Sequence, residues 1–409
     1  MNTLVRKALI ALAATPLIAA LFLAGVVAAF SVPNAAILVN LTDRPELIYE
    51  RRANNGRVID ADTECIGLSI GLYESDAPPQ GLVRRAVNAE SLYGCAPLQR
   101  WIADGEAGAH RDYFRYWHGA TLVMRPMLAV MPYNDMRGFL FTLSAVLLGW
   151  LCWRVGADFG PATALAFAAP FVILNALGLW VVATKATTWL LAIGAAIVFS
   201  RRKAAEAPVL AFFALGALTA FFDFLTAPAF IFAMAALVWA IYAAGGEGAF
   251  PSWRQFLASG VFWSVGWAGF VLVKIILAAH FLDLDVWGDF TDAALFRLRG
   301  QSEHVDGFIP GAALVANIAS LKSVWGPVAV IAFFILPFVT RDRRASWAGL
   351  FQERSVVLAI AAAPLLWLEV FSNHSQIHAA FTQINFAPYF ILAGLVLARS
   401  PALARSAKP

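Results

Sequence analysis

Charge is what this chain has least of. Only 14% of its 409 residues are Asp, Glu, Lys or Arg, where a soluble domain carries about a quarter. The net charge of +4 is small and spread out, with no basic stripe, which excludes nucleic acid as a partner. Three cysteines are too few for a disulfide scaffold. No P-loop, Gly-x-Gly-x-x-Gly, Gly-x-Ser-x-Gly or Cys-x-x-Cys is present, nor any repeat, low-complexity tract or flexible linker.

Apolar residues fill the space: 60% of the chain is hydrophobic and the mean hydropathy is +0.70. Runs of about 18 or more such residues read as membrane spans. The apolar stretches fall near residues 8–30, 138–154, 161–182, 187–200, 208–224, 227–244, 256–280, 312–339, 355–371 and 384–398. The chain is therefore expected to be an all-α, polytopic membrane bundle of about ten spans. The first run is too long for a cleaved signal segment, with Ala28-Ala29 as the alternative cleavage point. Arg6 and Lys7, Arg201-Arg-Lys, Arg254, Arg341-Asp-Arg-Arg, Arg354 and the tail to Lys408 fall on one side of ten spans. Lys and Arg mark the cytoplasmic side, so both termini are expected there. Residues 1–30 then form the first span, residues 31–137 an extracytoplasmic loop domain with amphipathic helices, and residues 138–409 a multi-span domain with outward loops at 280–310 and 372–383. Cys65 and Cys95 both lie in the first loop, where an oxidising compartment allows a bridge.

The unusual residues gather in the outward segments. Asp60-Ala-Asp-Thr-Glu64-Cys sets alternating carboxylates before the apolar run from Ile66 to Tyr73. Thr63 or Asp62 caps a helix through that run in one reading. In the other, Asp60 or Glu64 is a general base, with Asp43 competing for the role. The block Asp112-Tyr-Phe-Arg-Tyr-Trp-His118 is followed by Arg125. On one helix His118 and Arg125 would share a face, with Arg115 near His118. Arginine forks suit phosphate oxygens, while Tyr116 and Trp117 suit sugar faces and membrane interfaces alike. The bland alternative is an interfacial aromatic belt with snorkelling arginines.

Asp223, in Phe222-Asp-Phe-Leu-Thr-Ala-Pro228, stands among large apolar side chains at the end of a span. It needs a partner or else caps the next helix. Asn373-His374-Ser-Gln-Ile-His378 carries two His at i, i+4. That spacing fits a metal, hydrogen bonding to a substrate, or a structural role; no His-Glu-x-x-His accompanies it. Asp283, Asp285, Asp289, Asp292, Arg297 and Arg299 read as a solvated cover.

Three segments then point to a family. Arg115-Tyr-Trp-His-Gly with Arg125-Pro, Phe222-Asp-Phe-Leu-Thr with Pro228, and Asn373-His-Ser with His378 and Phe381-Thr resemble a set of bacterial polytopic proteins grouped with the GT-C superfamily. Those membrane glycosyltransferases use polyprenyl-phosphate sugars. In that set the first loop often reads Asp-x-x-Thr-Asp; here Asp60, Thr63 and Glu64 match, with Glu for the second Asp. The resemblance implies an inverting glycosyltransferase of a bacterial inner membrane. Its donor is a polyprenyl-phosphate-linked sugar facing outward, and its acceptor a cell-envelope glycan, lipid or protein within the membrane lipid. No cofactor is implied, and a divalent metal is not required. Glu64, Asp60 or Asp43 would be the base. Arg115, Tyr116, Trp117, His118, Arg125, Asp223, Asn373, His374 and His378 would bind substrate. Asp223 is expected to contact at least one of Arg115, His118, Arg125, His374 and His378 to close the phosphate pocket. The alternative is a transporter or flippase for a lipid-linked or anionic solute, with a membrane acyltransferase behind it.

Overall fold

In a computed structural model the chain is described over residues 3–42, 61–70, 72, 81–92, 94–105, 110–174, 182–201, 207–247, 250–301, 307–321, 355–398 and 400–403. Asp43, Asp60, Lys203, residues 341–344, the tail from 404 and most of the expected span at 312–339 lie outside them.

The chain is nearly all helical. The first helix is α1 (Thr3–Phe30). The loop unit after it holds α2 (Asn34–Thr42), α3 (Ala61–Ser69), α4 (Gly81–Asn88), α5 (Cys95–Asp104) and α6 (Thr121–Leu128). Two short antiparallel strands, β1 (Ser91–Leu92) and β2 (His110–Arg111), pair within it. There follow α7 (Tyr133–Phe159), α8 (Pro161–Ile173), α9 (Ala183–Phe199), α10 (Val209–Phe222), α11 (Pro228–Glu247) and α12 (Trp253–Phe281). The remainder comprises α13 (Val286–Arg299), α14 (Ala312–Ala319), α15 (Ser355–Val370), α16 (Ser372–Ile377), α17 (Ala379–Thr382) and α18 (Ala387–Leu397).

Among the described residues five helical stretches are long and apolar enough to cross a membrane: Thr3–Phe30, Tyr133–Phe159, Pro228–Gly246, Trp253–Phe281 and Ala379–Leu397. Helices α8, α9, α10 and α15 are apolar but shorter. The helix expected over 161–182 ends at Ile173, and the one expected from 187 begins at Ala183. Leu12, Leu17 and Leu21 on α1, and Val146 and Trp153 on α7, are more than half exposed. Apolar surface of that extent is compatible with a multi-pass membrane protein. Helix α11 is buried on all sides, so an all-round hydrophobic sequence puts it at the bundle centre.

The loop after α1 is an ordered unit with its own core. Ile37, Leu41, Leu68, Leu92, Leu98, Met124 and Leu128 pack together and onto Tyr133, Met136 and Ala183. A Cys65–Cys95 disulfide ties α3 to α5, which makes the allowed bridge a real one. Helix α3 starts at Ala61, so Asp62 and Thr63 lie inside it and neither is its cap.

Several of the charged side chains drawn inward serve helix ends. Four backbone groups at each helix terminus lack intrahelical partners, and the dipole favours anions at the start and cations at the end. Arg125 donates to Ala29 O and Val32 O at the end of α1. Lys274 donates to Ala86 O and Val87 O at the end of α4. Glu64 accepts from the first amides of α9, and Glu369 from Gly311 N and Leu314 N at the start of α14.

Helices α10 and α12 cross at backbone distance. A Cβ on Gly216 would stand 2.1 Å from Trp263 O, and one on Gly266 2.2 Å from Phe213 O. Only glycine fits on either side of this crossing.

Candidate functional site

Where the end of α10 meets α12, α13 and the 115–117 segment, a cavity of about 190 Å³ opens. Tyr116 and Trp117 form one side, with Ala220 and Asp223 at the end of α10. Trp267 and Val271 come from α12, and Phe371 precedes α16. Phe290, Ala293, Ala294, Arg297 and Leu298 on α13 complete the wall. Their i, i+3, i+4, i+7, i+8 spacing is one helix face. The walls are apolar and the polar groups are few: Arg115, Arg297 and Asp223.

The 113–119 segment is set by backbone geometry. His118 adopts φ +59°, the left-handed region. That turns Gly119 onto the end of α10, where its N–H donates to Phe221 O at 2.9 Å. Trp117 is buried, donates Nε1–H to Phe270 O at 2.7 Å and packs edge-on against Phe22 of α1. Helix α6 begins only at Thr121, so His118 and Arg125 do not share one helix face as expected. Arg125 is 3% exposed and is held by Ala29 O, Val32 O and Asn34 Oδ1 at 2.9, 2.8 and 2.7 Å. It does not line the cavity. His118 is 1% exposed, and its Nε2 meets Tyr113 O. Burial, then the nearby Lys274 charge, pushes its pKa down to about 3, so it is a neutral ring and not a phosphate cation.

Glu64 is likewise taken up. It is 2% exposed. Its Oε1 accepts from Tyr133 Oη and Ala183 N, both at 2.9 Å, and its Oε2 from Thr184 N and Oγ1, both at 3.3 Å. Burial raises its pKa against those hydrogen bonds and the Arg137 charge. This carboxylate caps α9, in whose first turn Thr184 and Lys185 are buried. Asp60 and Asp43 lie outside the described residues.

Asp223 lines the cavity, but its partners are not those expected. Oδ1 accepts from Thr188 Oγ1 at 2.8 Å and Ala227 N at 3.3 Å, which fixes the turn into α11. None of Arg115, His118, Arg125, His374 or His378 bonds to it. Oδ2 is buried and takes no hydrogen bond of good geometry among the described residues, although the Leu225 and Thr226 amides stand near the carboxylate. The Arg115 Nε–H is the complementary case, buried and without an acceptor among the described residues, while Nη1 pairs with Asp289 on α13.

His374 joins the two sides of the cavity. Its Nδ1 lies 3.0 Å from Arg297 Nη1 and its Nε2 2.8 Å from Leu225 O. A guanidinium only donates, so Nδ1 is the acceptor and Nε2 carries the proton. Burial, with His378 and Arg297 nearby, holds its pKa well below the ordinary value, which keeps that tautomer neutral. Asn373 donates to Phe296 O at 2.6 Å and so holds α13 in place. The His378 ring stacks on Phe381 and stands 4.7 Å from the His374 ring. Among the described residues no three His, Cys, Asp or Glu converge to hold a metal.

Arg297, Trp267, Val271 and Phe371 were not among the expected site residues. The acidic loop read as a solvated cover contains α13, an amphipathic helix whose inner face is a cavity wall. Its spacing from Phe290 to Leu298 was the available signal. No family model, curated protein or solved structure matches the chain.

Proposed function

We propose that this chain is a GT-C-like glycosyltransferase of about ten spans in a bacterial inner membrane. It takes a sugar from an outward-facing polyprenyl-monophosphate donor and passes it to a glycan, lipid or protein of the cell envelope. One observation carries the reading: Arg115, whose Nε–H has no acceptor among the described residues, and Arg297 both line a single apolar cavity. An anion on a hydrocarbon chain satisfies both parts at once, since guanidinium forks bind phosphate oxygens and Trp267, Val271, Phe290 and Phe371 accept the isoprenoid end. Transfer is a displacement at the anomeric carbon. The bond from that carbon to the phosphate oxygen breaks as the acceptor oxygen bonds to it. The acceptor's proton goes to a carboxylate, and the two arginines stabilise the departing phosphate. Glu64 is occupied as a helix cap, so Asp60 and Asp43 are the first-loop acids proposed for the base.

The test uses the full chain in nanodiscs. Wild type should bind undecaprenyl monophosphate over undecaprenol. Arg115→Ala and Arg297→Ala should each weaken that binding by about ten- to a hundredfold, the worth of a hydrogen bond to a charged group. Release of undecaprenyl monophosphate from a sugar-linked donor marks transfer. Movement of the intact donor across a liposome membrane, without release, would instead make the protein a flippase.

A further inference from the structure

Two residues that line one cavity each keep a buried polar atom with no partner among the described residues: Arg115 its Nε–H, a donor, and Asp223 its Oδ2, an acceptor. A buried polar group left unpaired carries the full desolvation penalty of that group, larger when it is charged. An unpaired buried group calls for an explanation, and two of opposite kind on residues that line one cavity point to a ligand there. The arginine calls for an acceptor and the carboxylate for a donor, so a bare phosphate meets half of the demand. Oδ1 is already pinned by Thr188 Oγ1 and Ala227 N. This fixes Oδ2 in place without using it. The turn is held further by His374, whose ring bonds Leu225 O on one side and Arg297 on the other. Carboxylate and guanidinium are therefore set relative to each other before anything binds.

We infer that Asp223 is the sugar-recognising residue of the cavity, its Oδ2 accepting a hydrogen bond from a hydroxyl of a glycosyl group attached directly to the phosphate that Arg115 and Arg297 hold. The inference rests on the glycosyl-donor reading above and sharpens it: the ligand is a polyprenyl-phosphate sugar, not a polyprenyl phosphate alone. In a glycosyl phosphate the ring hydroxyls lie a few bonds from the phosphate oxygens, so one small cavity serves both.

Binding of three probes to the nanodisc protein tests it: undecaprenol, undecaprenyl monophosphate, and undecaprenyl-monophosphate glucose or mannose. Wild type should hold the sugar-bearing lipid at least about tenfold tighter than undecaprenyl monophosphate, the worth of one charge-assisted hydrogen bond. Asp223→Asn keeps an oxygen for Thr188 and Ala227 but turns a donor towards the cavity. It should erase the preference for the sugar and leave undecaprenyl monophosphate binding as tight or tighter. Thr188→Val removes a partner of Oδ1 and leaves Oδ2, so it should retain the preference. The inference is overturned if wild type shows no preference for either sugar, or if Asp223→Asn keeps it. It is also overturned if Thr188→Val loses as much, since the effect would then belong to the turn. Equal binding of undecaprenol and undecaprenyl monophosphate sinks the donor reading itself, a different outcome from a sugar preference that ignores Asp223.

Discussion

Replacing Glu64 by Gln separates a helix cap from a catalytic base, because the two roles predict opposite results. Gln keeps an oxygen for Tyr133 Oη and Ala183 N, both 2.9 Å away in the native protein. Its amide nitrogen then faces the Thr184 N–H, which loses an acceptor at 3.3 Å; the Thr184 hydroxyl can rotate to accept. A buried donor left unpaired costs about 1–3 kcal/mol. Loss of negative charge at the start of α9 adds about 0.3–1 kcal/mol. Against this, a neutral amide is cheaper to bury than a carboxylate, whose pKa burial has raised. The net expectation is a loss of about 1–3 kcal/mol. Thermal unfolding in nanodiscs should show it, with hydrogen exchange accelerated at residues 183–187 and turnover falling only in step with folded protein. The pH dependence has a definite sign. A carboxyl with a raised folded pKa is held more tightly as the acid in the folded state. Its contribution is therefore fully present below the ordinary value of 4.5 and is lost as pH rises through the raised value. Glu64→Gln should remove that slope. A Glu64→Gln protein as stable and as protected as wild type, yet inactive, would refute the cap and restore Glu64 as the base.

Other expectations follow from the same contacts. Arg125→Ala should cost about 3 kcal/mol or more by leaving buried carbonyls unpaired, and Arg125→Lys less. Donor affinity of the remaining folded protein should be unchanged, and a stable Arg125→Ala protein with weakened donor binding would contradict this. Replacing Cys65 and Cys95 by Ser opens a closure of 30 residues and should cost about 3.6 kcal/mol in the loop unit. Hydrogen exchange over 61–104 reads this out, and unchanged protection would count against it. His374→Ala should weaken undecaprenyl monophosphate binding through Arg297, while His374→Gln, with an acceptor and a donor on one amide, should recover most of it. Equal losses in the two would make the histidine a packing residue alone.

The helical class and most apolar helices were legible because composition and long apolar runs dominate such a chain. Helix ends were less so. The run to 182 overshot Ile173, and the next was expected only from 187, because nothing local shows that Glu64, more than a hundred residues earlier, caps a helix beginning at Ala183. Asp223 was singled out as a costly residue at a span end, Arg115 as a fork for phosphate and Trp117 as a ring for a sugar face, and all three line one cavity. Glu64 was singled out as a general base and Arg125 as a phosphate ligand, yet they satisfy helix termini. A buried charge announces a need for partners, but its sequence neighbours do not say whether those partners are ligand atoms or distant carbonyls and amides. Arg297 was passed over because its acidic neighbours suggested solvent, although its helix period already marked an inner face.

The glycine crossing of α10 and α12 has a mechanical consequence. With Gly216 against Trp263 O and Gly266 against Phe213 O, the two helices cannot slide without backbone collision. Ala220 and Asp223 on one and Trp267 and Val271 on the other therefore behave as a fixed jaw. The opposing jaw is α13, whose start is anchored by Val286 and Phe290 packed with Ile275, Ala278 and Phe114, while the rest of it is held by the Arg115–Asp289 pair, the Asn373 bond to Phe296 O and the Arg297–His374 bond. All three are polar contacts that separate more readily than a helix crossing. Any compliance needed to admit substrates of different girth resides in that second jaw, and substitutions there would tune tolerance for bulk while those at the crossing would cost the fold.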